Sequence, residues 1–133
     1  MHDKIKNYLT KKIFLHNPLL FFYALNHPAS KKKIKPFIHQ IHLLHNSMLL
    51  RPVRFLIADE IGLGKTIESL AITRYLELKH GIRRVLVLTP KILREQWESE
   101  IGRVGGVPRI IKDGNDVAIL KIIYNITILR SIL

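Results

Sequence analysis

The sequence contains no cysteine and few acidic residues. Without cysteine there is no disulfide scaffold, thiolate metal site or cysteine nucleophile, which permits a reducing compartment, and we expect the cytoplasm. The 10 Asp and Glu residues are outnumbered by 22 Lys and Arg residues, so the 133-residue chain has a formal charge of +12 and a pI of about 10.2. Since 47% of its residues are hydrophobic, the composition argues against disorder and indicates one domain with a buried core.

Uninterrupted apolar runs of membrane-spanning length are also missing. The stretch 13–25 resembles a signal peptide, but His16, Asn17 and Pro18 interrupt it and no A-x-A cleavage site follows. The apolar run 117–133 is divided by Lys121, Asn125 and Arg130, and therefore favours buried strands. We expect no contact with a membrane.

Positive charge is concentrated at the start of the chain. Residues 1–54 hold ten Lys and Arg residues and a single acid, Asp3. Such a field attracts polyanions, of which nucleic acid is the commonest in a cell. The alternative is a solvated face that only keeps the chain in solution.

The order of local patterns divides the chain into three parts. Residues 1–29 are predicted to form a helical N-terminal extension, with Asp3 and Asn17 as N-caps and Pro18 in a first helical turn. Residues 30–35 (SKKKIK) are predicted to be a basic linker, and residues 36–133 the main lobe.

Strand and helix patterns alternate in the main lobe. A helix is predicted from about Pro36, then a buried strand at Val53–Ala58, and then a helix that Gly81 ends in a left-handed cap. The apolar face of that helix comprises Ile67, Leu70, Ala71, Tyr75 and Leu78.

A second buried strand is predicted at Val85–Leu88, followed by a helix that Thr89 caps and that ends near Ile101. Short strands are expected near 107–111 and within 118–132. Strands that alternate with helices indicate an α/β domain with a parallel sheet.

The first predicted strand runs directly into Asp59-Glu60-Ile61-Gly62-Leu63-Gly64-Lys65-Thr66 and then into a helix. A strand, a glycine-containing loop with G-K-T, and a helix form the context of a phosphate-binding loop. The glycines allow successive main-chain N–H groups to converge on phosphate oxygens at the helix N-terminus. Lys65 is placed to reach the β- and γ-phosphates and the Thr66 hydroxyl to coordinate Mg²⁺.

One position departs from the general G-x-x-x-x-G-K-[ST] pattern, because Asp59 stands where the first glycine is expected. With this departure, the eight-residue loop resembles that of the Snf2-type branch of superfamily 2 DNA translocases, which reads D-E-x-G-L-G-K-T. Residues 86–97 (LVLTPKILREQW) resemble the same family's motif Ia and its following helix. Gln40, in Pro36-Phe37-Ile38-His39-Gln40, resembles the glutamine of the Q motif.

The resemblance, which spans about residues 36–101, implies a partial RecA-like lobe that binds ATP and Mg²⁺. It implies that Lys65 is the catalytic phosphate ligand, Thr66 the metal ligand and Gln40 the adenine reader. Asp59 and Glu60 precede the main-chain cradle formed by Ile61, Gly62, Leu63 and Gly64. The intact relatives hydrolyse ATP and move along double-stranded DNA, which is therefore the implied partner.

The groups required for hydrolysis are incomplete in this chain. None of the acids after the loop follows a run of four apolar residues, as a strand-end Mg²⁺ carboxylate does. The D-E-x-H motif and the second lobe with its arginine finger are absent from the 133 residues. We therefore expect an interrupted gene product or one piece of a split ATPase, whose remaining part is a candidate partner, with little ATP turnover by itself. The alternatives are a non-catalytic nucleotide- or DNA-binding module and a truncated remnant without function.

Overall fold

The structure is a computed structural model that describes residues 2–26, 33–58, 60 and 62–124. Within these residues, four α-helices come before the first strand, and a fifth lies between the first and second strands. The helices are α1 (His2–His16), α2 (Pro18–Ala24), α3 (Ile38–Leu49), α4 (Lys65–His80) and α5 (Arg94–Arg103), and the strands are β1 (Val85–Pro90), β2 (Gly106–Asp113) and β3 (Val117–Tyr124).

Local capping signals determine where several helices begin and end. The Asn17 side chain accepts a hydrogen bond from Leu20 N at 3.0 Å, and Pro18 occupies the first helical position, as predicted. Gly81 ends α4 with φ of 67°, a left-handed conformation that glycine adopts without a Cβ penalty. Residues 2–24 therefore form the two helices α1 and α2, but Asp3 lies inside the first turn of α1, and the prediction that it is the N-cap is wrong.

The sheet has three strands in the order β1-β3-β2, and both pairings are antiparallel. Along β3, Ala118, Leu120 and Ile122 are buried on one face. Leu86 and Leu88 of β1 alternate with its half-buried residues and are exposed on the other face. One face of the sheet thus packs on the core, as expected for antiparallel strands.

The predicted parallel sheet is wrong. Residues 53–58 form no strand, so the first strand of the expected alternation is missing, and all pairing in the described part of the chain is antiparallel. The run is also less buried than a central strand requires, because Leu56 is 92% exposed. Because the described residues before α4 form no strand, the RecA-like arrangement is not confirmed, and the structure shows a mixed helix and sheet fold.

The start of α5 also differs from the prediction. Thr89 and Pro90 belong to β1, a short 3-10 helix covers Lys91–Leu93, and α5 begins only at Arg94. The Thr89 hydroxyl lies 3.4 Å from Pro90 O and does not cap a helix. The strands predicted near 107–111 and 118–132 are confirmed as β2 and β3, up to Tyr124.

The core joins the helices to the sheet. Phe21 of α2 contacts Tyr75 of α4 edge-on, with ring centroids 5.8 Å apart. Leu44 of α3, Ile101 of α5 and Leu120 of β3 belong to the same buried cluster. Burial of these apolar surfaces is the main stabilising contribution to the fold.

The segment 27–32 lies outside the described residues, but its flanks are held close together. Asn26 donates through Nδ2 to Ile34 O at 3.1 Å, and Ile34 N donates to the Asn26 side chain. The boundaries at 29/30 and 35/36 stay predictions. The predictions for Asp59, Ile61 and 125–133 concern residues outside the described part of the chain. No helix within the described ranges is long and apolar enough to span a membrane.

Candidate functional site

The site begins where the loop turns into α4. Gly62 and Gly64 have φ of 89° and 88°, which only glycine adopts readily, and Gly64 is the N-cap of α4. Glu68 N donates to Gly64 O at 3.1 Å and closes the first helical turn. Lys65 and Thr66 are therefore the first two residues of α4, where main-chain N–H groups point out of the helix.

Gln40 connects this loop to the start of α3. Its Oε1 accepts from Phe37 N at 2.9 Å, and its Nε2 donates to Leu63 O at 3.0 Å. The side chain is 3% exposed, so these two bonds compensate much of the cost of burying its amide. A Cβ on residue 64 would lie 2.5 Å from Gln40 Nε2, so a side chain at this position would have to displace the end of the Gln40 side chain.

Lys65 folds back over the loop. Its Nζ donates to Glu60 O at 3.1 Å, which draws the ammonium group toward the residues preceding the turn. Three residues after Lys65, buried Glu68 lies with its Oε1 3.5 Å from His39 Nε2. The first turn of α4 thus has polar contacts with both the loop and α3.

A cavity of about 700 Å³ opens at the start of α4. This volume lies within the range of roughly 300–1,000 Å³ that is typical of small-molecule sites. Its charged lining has four cations, Lys33, Lys35, Lys65 and Arg103, and one carboxylate, Glu100. The remaining lining residues are Ile34, Phe37, Gln40, Gly62, Gly64, Thr66, Ile67, Leu93 and Gln96.

The opposite wall belongs to α5 and the residues before it. There Arg103 donates from Nη1 to both carboxylate oxygens of Glu100, at 2.9 and 2.7 Å. Counted over the lining residues, the cations outnumber the carboxylate by four to one, which is a surplus of positive charge. A surplus of this sign favours an anionic ligand.

The structure thus places Gln40, Gly62, Gly64, Lys65 and Thr66 around one cavity, while Leu63 contributes the carbonyl that Gln40 binds. Glu60 contributes the carbonyl that Lys65 binds. Asp59 and Ile61 lie outside the described residues. Sequence reasoning missed Phe37 and Arg103 as lining residues. Lys33 and Lys35, which also line the cavity, belong to the segment that was predicted to be a basic linker.

Comparison with models of known protein families shows which family the chain belongs to. The model of the SNF2-related domain matches residues 20–114, which is more than half of the 133 residues. The chain belongs to the SNF2-related domain family. The sequence resemblance to Snf2-type proteins is therefore confirmed.

Individual relatives of this SNF2-related chain match a shorter segment. The RNA polymerase-associated protein RapA of Pseudomonas putida strain GB-1 is 43% identical over 72 residues, which cover 53% of this chain and 8% of the relative. RapA of Pectobacterium carotovorum is 42% identical over 65 residues, or 49% of this chain and 7% of the relative. The chain thus matches less than a tenth of the length of either relative. No solved structure matches it significantly.

Proposed function

We propose that the chain binds the triphosphate of Mg-ATP in the cavity at the start of α4, as part of an SNF2-type ATP-dependent enzyme. The observation that carries the proposal is the position of Lys65 and Thr66, which open α4 and line a cavity rich in positive charge. Main-chain N–H groups, a lysine and a hydroxyl are the groups that phosphate-binding loops use.

Each residue of the loop then has a proposed role. The main chain of Ile61 to Gly64 would contact phosphate oxygens, with Asp59 and Glu60 leading into the turn. Lys65 would exchange its bond to Glu60 O for a β- or γ-phosphate oxygen, and the Thr66 hydroxyl would hold Mg²⁺.

Gln40 is proposed to face the adenine. A glutamine amide has two donor protons and two acceptor lone pairs, and the structure uses one of each, on Leu63 O and Phe37 N. One donor and one lone pair remain to contact the edge of a base. The two existing bonds would hold the amide in a fixed orientation for that contact.

For the intact protein we propose ATP-dependent action on double-stranded DNA. The family membership supports this proposal, and so does the surplus of Lys and Arg in residues 1–54. The matched relatives are named for their association with RNA polymerase, which is consistent with a protein that works on DNA. The proposal for this chain alone is limited to nucleotide binding.

The decisive experiment is calorimetric titration of the chain with Mg-ATP and with inorganic tripolyphosphate. Lys65→Ala should weaken binding of both about 10- to 100-fold, since a hydrogen bond to a charged group contributes about 1.5–3 kcal/mol. Lys79→Ala is the matched control, because Lys79 is exposed in the last turn of the same helix and lies outside the cavity. Equal binding by the Lys65→Ala variant and the unmodified chain would contradict the proposal.

A phosphate-release assay tests the second part of the proposal. We expect the 133-residue chain to bind Mg-ATP without DNA-stimulated hydrolysis, because none of its acids after the loop follows a run of four apolar residues, as a metal-holding carboxylate does. Turnover that Lys65→Ala abolishes would refute this expectation.

A further inference from the structure

A second cavity lies between α1 and the last turns of α4. Its volume is about 300 Å³, at the lower end of the roughly 300–1,000 Å³ that is typical of binding sites. The described residues that line it are Tyr8, Lys12, Leu15 and His16 of α1 and Leu78 and Lys79 of α4. α1 precedes the residues 20–114 that match the SNF2-related domain, so membership of that family does not account for this cavity.

Helical spacing places three of the lining residues along one face of α1. Tyr8, Lys12 and His16 are four positions apart and therefore follow one another along the helix. The Lys12 ammonium group lies 6.0 Å from the centre of the Tyr8 ring, at the outer limit of a cation–π contact. These three side chains are exposed, whereas Leu15 is buried and Leu78 is half-buried, so the cavity has an aliphatic floor and a polar rim.

A row of exposed aliphatic side chains runs beside this rim. Ile5, Leu9 and Ile13 are also four positions apart, and they are 52%, 52% and 57% exposed. Each lies three positions before one of the rim residues of α1 and is therefore its neighbour on the helix surface. The row and the cavity together are called the α1–α4 surface. A contiguous apolar row with a polar border is typical of an interaction site.

The charge of the α1–α4 surface has one sign. Lys12 and Lys79 line the cavity, and no carboxylate does so among the described residues. Lys4 and Lys6 are exposed on the same helix, whose one acid, Asp3, lies in the first turn. A complementary partner therefore presents carboxylates beside an apolar surface.

Two anionic surfaces that are common in cells fit this combination poorly. A nucleic-acid backbone would pair with the lysines, but it would leave Ile5, Leu9 and Ile13 without an apolar contact. A bilayer would cover these three side chains, but its flat surface does not fill a cavity recessed between two helices. An amphipathic helix does both, since its side chains at every third and fourth position form an apolar face that reaches into a groove.

We propose that the α1–α4 surface docks an acidic amphipathic helix of a partner protein. Apolar side chains of the partner cover Ile5, Leu9 and Ile13 and enter the cavity, and its Asp or Glu side chains pair with Lys12 and Lys79. This is helix-in-groove recognition, in which complementary charges set the orientation. None of these residues lines the cavity at the start of α4, so the interaction is independent of the proposed Mg-ATP site.

The experiment measures the fluorescence anisotropy of a labelled synthetic peptide that is titrated with the 133-residue chain. The peptide has about 18 residues, enough to form a helix, with leucines at helical spacing and glutamates at the other positions. A scrambled peptide of the same composition keeps the charge but has no apolar face. Phosphatidylglycerol vesicles and a duplex oligonucleotide are titrated as the two competing classes of ligand.

The apolar row is tested by Leu9→Gln, which exchanges an apolar side chain for a polar one and keeps a good helix former. Ile92→Gln is the matched control, because Ile92 is 90% exposed and lies outside the α1–α4 surface. Far-ultraviolet circular dichroism checks that each variant retains its helix content.

The charges are tested by the double variant Lys12→Glu/Lys79→Glu. Its control is Arg109→Glu/Lys112→Glu, which makes the same change of net charge at two exposed positions of β2. This control separates pairing at the α1–α4 surface from the general attraction of a basic chain for an acidic peptide.

We expect the unmodified chain to bind the amphipathic peptide about tenfold more tightly than the scrambled peptide. Leu9→Gln and Lys12→Glu/Lys79→Glu should each weaken binding of the amphipathic peptide roughly tenfold, and both controls and Lys65→Ala should stay within about threefold.

Equal affinity for the two peptides would refute the docking surface, and so would equal weakening by a test variant and its control. If Leu9→Gln weakens the binding of vesicles or of the duplex and leaves peptide binding unchanged, the α1–α4 surface serves that other class of ligand and the proposal is wrong. Loss of Mg-ATP binding in Lys65→Ala without loss of peptide binding would show that the two sites are separate.

Discussion

Replacing Gly64 by alanine tests how tightly the loop and α3 are coupled. Gly64 has φ of 88°, and a Cβ there would lie 2.5 Å from Gln40 Nε2. The new methyl group would displace the Gln40 amide, which is 3% exposed and binds both Leu63 O and Phe37 N. The substitution therefore imposes backbone strain and also breaks a buried polar contact.

Gly62 offers an almost ideal control for separating these two costs. Its φ of 89° matches that of Gly64, but a Cβ there would meet nothing within 4 Å. Left-handed backbone costs a non-glycine residue about 1–2 kcal/mol, and the smaller unfolded-state benefit of alanine is common to both positions. Gly62→Ala should thus destabilise the chain by up to about 2 kcal/mol.

Gly64→Ala should cost more than Gly62→Ala by about 1–2 kcal/mol, because each of the two Gln40 hydrogen bonds contributes about 1 kcal/mol. Urea unfolding followed by circular dichroism measures both variants, and equal m-values would validate the comparison. In a Gln40→Ala background, the extra cost at position 64 should disappear, since the displaced amide is no longer present.

The reasoning fails if Gly64→Ala and Gly62→Ala are equally destabilised, or if the extra cost persists in the Gln40→Ala background. Either result would mean that Gln40 does not occupy the space above Gly64 in solution. A decrease in Mg-ATP affinity for Gly64→Ala that exceeds the decrease for Gly62→Ala would support the same contact independently of stability.

Three further substitutions test the scaffold by urea unfolding. Asn17→Ala removes the acceptor for Leu20 N and should cost about 0.5–2 kcal/mol, and an unchanged midpoint would exclude the cap. Leu70→Ala leaves a cavity at a site 1% exposed and should cost about 2–5 kcal/mol, whereas a loss below 1 kcal/mol would indicate an unpacked core. Burial and the charge of Arg51 lower the pKa of His80 below its ordinary value of 6.5, so the unfolded chain binds the proton more readily. The unmodified chain should therefore lose stability relative to His80→Gln as the pH falls from 7.5 through 6.5 to 5, and parallel pH profiles would refute this.

Several features of the fold could be predicted from local sequence. The cap at Asn17, the left-handed Gly81 and the apolar face of α4 depend on residues within a few positions of one another. Their physical causes, a side-chain acceptor, a missing Cβ and a helical repeat of apolar residues, act before tertiary contacts form. The strand at Val85–Leu88 was likewise visible as a short apolar run.

The predictions that were wrong concern the pairing of strands between segments that are distant in the sequence. Val53–Ala58 has the composition of a buried strand, yet Leu56 is 92% exposed and the run pairs with nothing as a strand. The direction of pairing was inferred from the alternation of elements, but β3 follows β2 after a short turn at residues 114–116 and pairs with both β2 and β1 in antiparallel register. A short connection permits antiparallel pairing and does not permit a crossover.

By itself, the sequence determined the family, the glycine-containing turn into α4 and the position of Lys65 and Thr66 at its start, because these depend on contiguous residues. Only the tertiary structure decided that Gln40 bonds to the loop 23 positions away, that Phe37 faces the same cavity, and that Arg103 forms part of the opposite wall. These contacts depend on how α3, α4 and α5 pack together. Packing minimises exposed apolar surface over the whole chain, and no local pattern specifies its outcome.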